Sequence, residues 1–286
     1  MRFAIPTWVT SMPPAIPERV GRVASARRLG NGNTTELWLI DLADGRRVVA
    51  KHGTGLALEG AMLRHLAEYS TLPVPELFHA DNTLLVMSWI EQDGSLTVSS
   101  QEHAAELIAD LHGVGADRYG FAFDTLIGPL HQPNPESADW IAFFRDHRLM
   151  HMALLALEEH RIDSSLMAGI ERLAERLPEL IGEPAPPSLI HGDLWSGNVL
   201  AYRSRIAGFI DPALYHADPE IELACSTLFG TFGEPFFRRY AELRPIRPGF
   251  FEVRRDLYNL YPLLVHVRLF GGSYGAQVAR IVNRFA

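Results

Sequence analysis

Length, composition and charge exclude several classes of protein. The chain has 286 residues, of which 47% are apolar and 21% charged, so it can form one large domain or two lobes with sizeable apolar cores. Its formal net charge of −8 argues against nucleic acid or an anionic membrane surface as a partner. The single cysteine, Cys225, excludes an intrachain disulfide. No apolar run is long enough for a signal peptide or a transmembrane helix, so we expect a cytoplasmic protein.

The first third of the chain is predicted to be rich in β-strands. Residues 34–40 form a strand-like run, and an Asp-Gly pair marks a turn into a second strand over residues 46–51, which predicts a hairpin. Apolar residues with helical spacing predict a helix over residues 56–69. A further apolar strand is predicted over residues 84–90, followed by a polar segment that we interpret as a hinge.

From Ser99 onward, beyond a predicted lobe boundary near Glu91, the periodicity becomes helical. Helices are predicted over residues 100–114, 137–159, 163–180 and, with breaks, 219–284, and two short strands over residues 188–190 and 206–210. This order predicts an α+β fold with two lobes. Residues 1–90 would form a small β-rich lobe, and residues 91–286 a larger, mainly helical lobe.

Three polar residues near the two short strands have the spacing of a phosphoryl-transfer site. Asp193 and Asn198 lie five residues apart, as do the Asp and Asn of the kinase catalytic loop, and Asp211 follows at the end of the strand over residues 206–210. A carboxylate at Asp193 can accept the proton of a substrate hydroxyl, while the oxygens of Asn198 and Asp211 suit Mg²⁺, a hard cation. We expect His191 to support this loop through a backbone hydrogen bond.

Candidates for the nucleotide-binding side occur earlier in the chain. Lys51 ends a Val-Val-Ala-Lys strand and can bind phosphates, and Glu59 on the following helix is the candidate to hold it by an ion pair. A phosphate cover is predicted at Gly30, Asn31, Gly32 and Asn33. Each feature alone is weak, but their joint occurrence in this order predicts an ATP-dependent kinase with a protein-kinase-like fold.

The segment His-Gly-Asp-Leu-Trp-Ser-Gly-Asn, residues 191–198, resembles the signature of the fructosamine/ketosamine kinases, a branch of the aminoglycoside-phosphotransferase-like kinases. Within it, Trp-Ser-Gly is the narrower mark of this family. Similar segments occur at residues 119–149, 211–230 and 258–271, so the resemblance covers most of the helical lobe and is thinner in the β-rich lobe.

This resemblance implies transfer of the γ-phosphoryl group of ATP to a hydroxyl of a ketosamine, either free or on a glycated protein, in a deglycation-type repair activity. Asp193 would be the base, Asn198 and Asp211 the Mg²⁺ ligands, and Lys51 with Glu59 the phosphate-binding pair.

The resemblance also implies further contacts. Adenine would bind hinge backbone around Ser88 and Ile90, with Met87 forming a wall of the pocket. Trp195, beside the base, would either pack against the sugar or belong to the apolar core.

Two acidic residues, Asp218 and Glu220, are predicted to favour a cationic amine on the substrate. Glu220 could equally stabilise the start of a helix, because an acid is favoured in the first turn.

Three alternatives stay open at this point. An aminoglycoside or other amino-alcohol phosphotransferase would share the same catalytic residues. A catalytically silent kinase-like binding module is disfavoured because Lys51, Asp193, Asn198 and Asp211 are all present. A metal-dependent hydrolase built on His191, Asp193 and Asp211 would leave Lys51 unexplained.

Overall fold

The computed structural model describes residues 12–31, 35–94 and 96–286. The N-terminal part contains a five-stranded antiparallel sheet with strand order β1-β2-β3-β5-β4. Its strands are β1 (Val23–Asn31), β2 (Glu36–Leu42), β3 (Arg47–His52), β4 (Leu77–Ala80) and β5 (Leu84–Ser88), with helices α1 (Ala15–Val20) before β1 and α2 (Leu56–Tyr69) between β3 and β4. The β2–β3 hairpin and the helix over residues 56–69 are confirmed.

Alternation along β3 decides where Lys51 points. Val48 and Ala50 belong to the apolar cluster on the face of the sheet that packs against α1, while Val49 belongs to the cluster on the opposite face, against α2. Because side chains alternate along a strand, Lys51 shares the α2 face with Val49. The first turn of α2 therefore lies within reach of the lysine.

The rest of the chain is mainly helical. Its helices are α3 (Val98–Leu111), α4 (Trp140–Phe144), α5 (His151–Glu158), α6 (Ser164–Ile181), α7 (Glu220–Cys225), α8 (Glu234–Leu243), α9 (Arg255–Phe270) and α10 (Tyr274–Phe285). Two π-helical segments, Arg145–Met150 and Phe250–Arg254, join α4 to α5 and precede α9. The helix predicted over residues 137–159 therefore begins later and contains a π-helical interruption, which the 3.6-residue apolar period does not reveal.

Three two-stranded sheets interrupt the helices. They pair β6 (Thr125–Ile127) with β7 (Leu130–Gln132), β8 (Ser188–Ile190) with β11 (Tyr215–Ala217), and β9 (Val199–Tyr202) with β10 (Arg205–Phe209). The strand at residues 188–190 is confirmed, and the one predicted at 206–210 lies one residue earlier. The β8–β9 connection and the segment after β10 carry the predicted catalytic residues.

The segment between β5 and α3 contains the predicted lobe boundary at Glu91. Within it, the Asp93 N–H donates to the Ala201 carbonyl (2.9 Å), so the segment is attached to the helical part. The Phe209 N–H donates to the Pro73 carbonyl (2.8 Å) and makes a second link between the two parts. Among the described residues, no helix has the length and apolar character needed to cross a membrane.

Candidate active site

The loop from residue 191 to 198 connects β8 to β9 and depends on a glycine. Gly192 has φ +87°, and a methyl group on its Cα would overlap with the carbonyl oxygen of Ala213. A glycine is therefore needed both for the left-handed backbone and for this close approach. Further along, the Asn198 N–H donates to the Trp195 carbonyl (2.9 Å) and closes the loop as a tight turn.

Asp193 and Asn198 are in direct contact. The Asn198 Nδ2 amide donates to the backbone oxygen of Asp193 (2.9 Å) and to its carboxylate Oδ2 (2.8 Å). Burial raises the pKa of Asp193 to about 7, and the negative charge of Asp211 adds to this effect. The hydrogen bonds from the Asn198 and Trp195 side chains lower the same pKa but do not outweigh burial. A carboxyl group with this pKa can exchange a proton near neutral pH.

The segment after β10 is fixed to the same loop. The Ile210 N–H donates to the Asn198 carbonyl (3.1 Å), and the buried His191 ring places Nε2 3.0 Å from the Ile210 carbonyl. Burial lowers the pKa of His191, so the ring is a neutral Nε2–H donor at neutral pH. The predicted supporting role of His191 is confirmed. Asp211 follows with φ +56°, a backbone conformation unusual for a residue other than glycine.

Lys51 joins the two parts of the molecule at the site. Its Nζ lies 2.6 Å from Glu59 Oε1 and also contacts Asp211 Oδ1. Burial alone would lower the pKa of Lys51, but the charges of Glu59 and Asp211 outweigh it and raise that pKa, so the lysine stays cationic. The predicted lysine–glutamate pair is therefore formed, and Asp211 shares the same cation.

The residues proposed for Mg²⁺ have a suitable donor set. The Asn198 Nδ2 amide faces Asp193, so the Asn198 Oδ1 oxygen is left to bind a metal. The Asp211 side chain is partly exposed and can offer a carboxylate oxygen. Within residues 12–31, 35–94 and 96–286 there is no cluster of three or more His, Cys, Asp or Glu side chains that could hold a metal. An Asn–Asp oxygen pair fits Mg²⁺, which often takes few protein ligands and completes its shell with phosphate and water.

The hinge residues lie at the end of β5. Met87 is buried in the apolar cluster that faces α2. The Ser88 N–H is already used by the Glu76 carbonyl (2.8 Å), so an adenine contact at Ser88 would have to use its carbonyl oxygen. The side chain of Ile90 packs on Gly208 of β10, where a methyl group would overlap with it.

The predicted phosphate cover lies only partly within the described residues. Gly30 and the backbone of Asn31 form the end of β1, paired with Leu37 and Glu36 of β2. Gly32 and Asn33 lie outside the residues that the structure describes.

Trp195 lies two residues after Asp193, with 36% of its surface exposed. Its indole ring lies over Gly197 so closely that a methyl group at residue 197 would overlap with the ring. This contact gives a physical reason for the Trp-Ser-Gly sequence: the glycine allows the indole to fold back over its own loop, next to the candidate base.

Asp218 and Glu220 do not lie at the site. Both are buried, and Arg247 Nη2 lies 2.5 Å from Asp218 Oδ2 and 2.8 Å from Glu220 Oε2, with Arg254 Nε 2.6 Å from Glu220 Oε2. Asp218 follows β11 at the end away from the catalytic loop, because Ala217 pairs with Ser188 and Tyr215 with Ile190. We therefore assign these acids a structural role in place of the predicted substrate contact.

The acid that does reach the loop is Glu222, which sequence reasoning missed. Its carboxylate accepts the N–H groups of Gly192 (2.7 Å) and His191 (3.2 Å) and lies 2.9 Å from His112 Nε2. His112 Nδ1 is in turn 2.7 Å from the Tyr240 hydroxyl. One signal was available: Glu222 is an acid within an otherwise apolar run of α7, where a buried charge requires partners.

The sequence is similar to one protein family and to several named proteins. Residues 22–286 match the fructosamine kinase family. A Synechocystis protein, provisionally named a ketoamine kinase, is 34% identical over 232 residues, which are 79% of this chain and 77% of that protein. The chloroplastic protein-ribulosamine 3-kinase of Arabidopsis thaliana is 31% identical over 234 residues, 79% of this chain and 71% of that protein.

Solved structures show the same fold. One from Thermobifida fusca, provisionally assigned as a fructosamine-3-kinase, has a TM-score of 0.83 and 31% identity, covering 96% of this chain and 99% of that one. A thermostable aminoglycoside phosphotransferase in complex with AMP-PNP and hygromycin B has a TM-score of 0.72 and 16% identity, covering 96% and 97%. The second likeness shows the fold alone and confirms the predicted kinase-like α+β architecture. The chain belongs to the fructosamine kinase family, as its residues 191–198 indicated.

Proposed function

We propose that this protein transfers the γ-phosphoryl group of ATP to a hydroxyl of a ketosamine, with Asp193 as the base. As a member of the fructosamine kinase family, the protein is a phosphotransferase. The observation that carries the proposal is the convergence of Lys51 and Asp211 with the Asp193–Asn198 pair. These groups supply a cation for the phosphates, oxygens for a metal and a proton acceptor.

The proposed step is a single in-line transfer. The acceptor hydroxyl oxygen forms a bond to the γ-phosphorus while the bond from that phosphorus to ADP breaks, and the hydroxyl proton passes to the Asp193 carboxylate. Lys51, held by Glu59, binds the phosphates of the nucleotide. Mg²⁺, held by Asn198 and Asp211, would neutralise phosphate charge when bound.

The structure also suggests how the base is oriented. Asn198 fixes one oxygen of Asp193, and Glu222 fixes the backbone of the preceding two residues. The base is therefore oriented by bonds to both its side chain and its loop, which is the positioning that phosphoryl transfer requires. We propose that the sugar packs on the exposed indole of Trp195.

The ketosamine acceptor is supported by the match to the fructosamine kinase family and by the names of relatives at 31–34% identity. The aminoglycoside alternative is not favoured, because the aminoglycoside phosphotransferase is 16% identical and shares the fold alone. We propose a deglycation-type role with free or protein-bound ketosamines as acceptors. The cytoplasmic location stays a prediction.

An acceptor panel tests the proposal. ADP release with ATP and Mg²⁺ is measured with fructosamines, ribulosamines, a glycated protein and aminoglycosides, using the wild-type protein and Asp193→Asn. We expect turnover with at least one ketosamine and none with aminoglycosides. Turnover of an aminoglycoside but of no ketosamine would contradict the acceptor and leave the phosphotransferase assignment intact.

A further inference from the structure

A run of aromatic rings leads away from the candidate base. The ring centroid of Trp195 is 6.0 Å from that of Phe229, and Phe229 is 4.9 Å from His266. His266 is in turn 5.5 Å from Phe270 and 5.0 Å from Tyr274. We call Phe229, His266, Phe270 and Tyr274 the aromatic strip; Trp195 connects it to the catalytic loop.

The strip is built from separate segments that the fold brings together. Phe229 follows α7, and His266 and Phe270 lie one turn apart near the end of α9. The chain then reverses at Gly271 and Gly272, with φ +65° and +64°, and α10 begins at Tyr274 against His266. Two consecutive residues with positive φ favour glycine, so the Gly-Gly pair accounts for this reversal of the chain.

Exposure distinguishes the strip from ordinary core packing. Phe270 has 58% of its surface exposed, and Phe229 and Tyr274 are only partly buried. A single exposed apolar side chain needs no explanation. Here, however, the exposed ring ends a continuous run of rings that starts two residues from the base, and such a surface next to a reactive group is suited to binding part of a ligand.

The neutral rings of the strip have faces that suit a cation. His266 Nδ1 lies 2.7 Å from the Pro262 carbonyl, so Nδ1 carries the hydrogen and Nε2 is left with a lone pair. Burial lowers the pKa of His266, and the ring is therefore neutral at neutral pH. The faces of neutral aromatic rings attract an ammonium group, and a histidine lone pair can accept one of its hydrogens.

We propose that the aromatic strip binds the amine part of the acceptor, meaning the secondary ammonium and its aliphatic or aromatic substituent. This inference rests on the proposed function. In a ketosamine the nitrogen is attached to the first carbon of the sugar, close to the hydroxyl groups. With the sugar on Trp195, the amine substituent would leave the site along Phe229 and His266 towards Phe270. The strip selects ketosamines of apolar amines over those of small anionic amines such as glycine.

The test compares two acceptors that share one sugar, fructosyl-phenethylamine and fructosyl-glycine. The variant is Phe270→Ala, whose exposed position makes a folding defect unimportant. A matched control is Phe251→Ala, which removes another exposed ring (43%) of the helical part, away from the strip. We expect Phe270→Ala to lower kcat/KM for fructosyl-phenethylamine about three- to tenfold, the range of a contact between two aromatic rings. For fructosyl-glycine the loss should stay below about twofold, with the KM for ATP unchanged in both cases.

Tyr274→Ala is a second variant and should show the same selective loss. An equal loss of kcat/KM for both acceptors in either strip variant would overturn the inference, and so would no loss for either acceptor. The kinase assignment would stand in both cases. Wild-type protein that phosphorylates no ketosamine would overturn the proposed function, and the inference with it. Phe251→Ala should behave as wild type with both acceptors, and a selective loss there would also count against the strip.

Discussion

The two sides of the site are built in different ways. On the nucleotide side, Lys51 and Glu59 come from a neighbouring strand and helix, Asp211 comes from a segment 160 residues further on, and opposite charges hold the three together. On the acceptor side, Asp193 and Asn198 belong to one short loop, and burial sets the pKa of the base. The nucleotide side therefore depends on how the β-rich and helical parts meet, whereas the acceptor side depends on the helical part alone.

The largest expected effect is on the acceptor side. Asp193→Asn keeps the shape of the side chain and removes the proton acceptor, so we expect kcat to fall by about 10³-fold. The KM for ATP should change by less than about threefold, because the nucleotide side is left intact. Steady-state kinetics check both values, and a variant that keeps a tenth of wild-type kcat would rule out Asp193 as the base.

A smaller loss is expected from the loop backbone. Gly192→Ala would place a methyl group against the Ala213 carbonyl and displace the base, which should cost about 10²-fold in kcat. Gly182→Ala is the control, since Gly182 also has a positive φ (+68°) but open space around it. The control should lose about 1–3 kcal/mol of unfolding free energy and no activity. Equal kinetics of the two variants would show that the close approach is unimportant.

Glu59→Gln tests the nucleotide side. It removes one of the two negative charges that face Lys51, and the remaining one is that of Asp211. We expect the KM for ATP to rise about tenfold, with a smaller change in the acceptor KM. A change confined to the acceptor KM would reverse the assignment of the two sides.

The pH dependence separates the sides further. Burial raises the pKa of Asp193 to about 7, and only its ionised form can accept a proton. The kcat/KM for the acceptor should therefore be constant above that pKa and fall about tenfold per pH unit below it. A profile that stays flat from pH ~5.5 to ~8 would show that no group with this pKa controls the reaction.

The smallest effect on activity is expected from Glu220→Gln. Breaking its buried pairs with Arg247 and Arg254 should lower the unfolding free energy by about 3 kcal/mol, with kcat/KM changed less than about twofold. Glu234→Gln, in an exposed pair with Arg238, is the control and should cost less than about 0.5 kcal/mol. Chemical denaturation measures both. A large rise in the acceptor KM for Glu220→Gln, at unchanged stability, would restore the substrate contact predicted from the sequence.

Local patterns predicted much of the fold and the site. The hairpin of β2 and β3, helix α2 and the loop from residue 191 to 198 depend on periodicity, turn residues and short spacings, all visible in the sequence. The Lys51–Glu59 pair was also predictable, because the strand and helix that carry it are adjacent in the chain.

Contacts between distant segments could not be predicted in the same way. Glu222 and His112 are 110 residues apart, and His112 and Tyr240 are 128 apart, so no local pattern joins them. The sequence shows that Asp218 is acidic but not that Arg247 neutralises it. An acidic residue near a predicted site is therefore weak grounds for a substrate contact unless its partner is known.

The transfer itself can be observed directly by ³¹P NMR. Wild-type protein is incubated with ATP, Mg²⁺ and a fructosamine, and the phosphorus products are followed over time. We expect a phosphomonoester signal that is coupled to a sugar proton and grows in equimolar amount with ADP. In Asp193→Asn, neither the phosphomonoester nor ADP should form. ADP formed together with inorganic phosphate alone would contradict the proposed transfer, because the γ-phosphoryl group would then be passing to water and not to the acceptor.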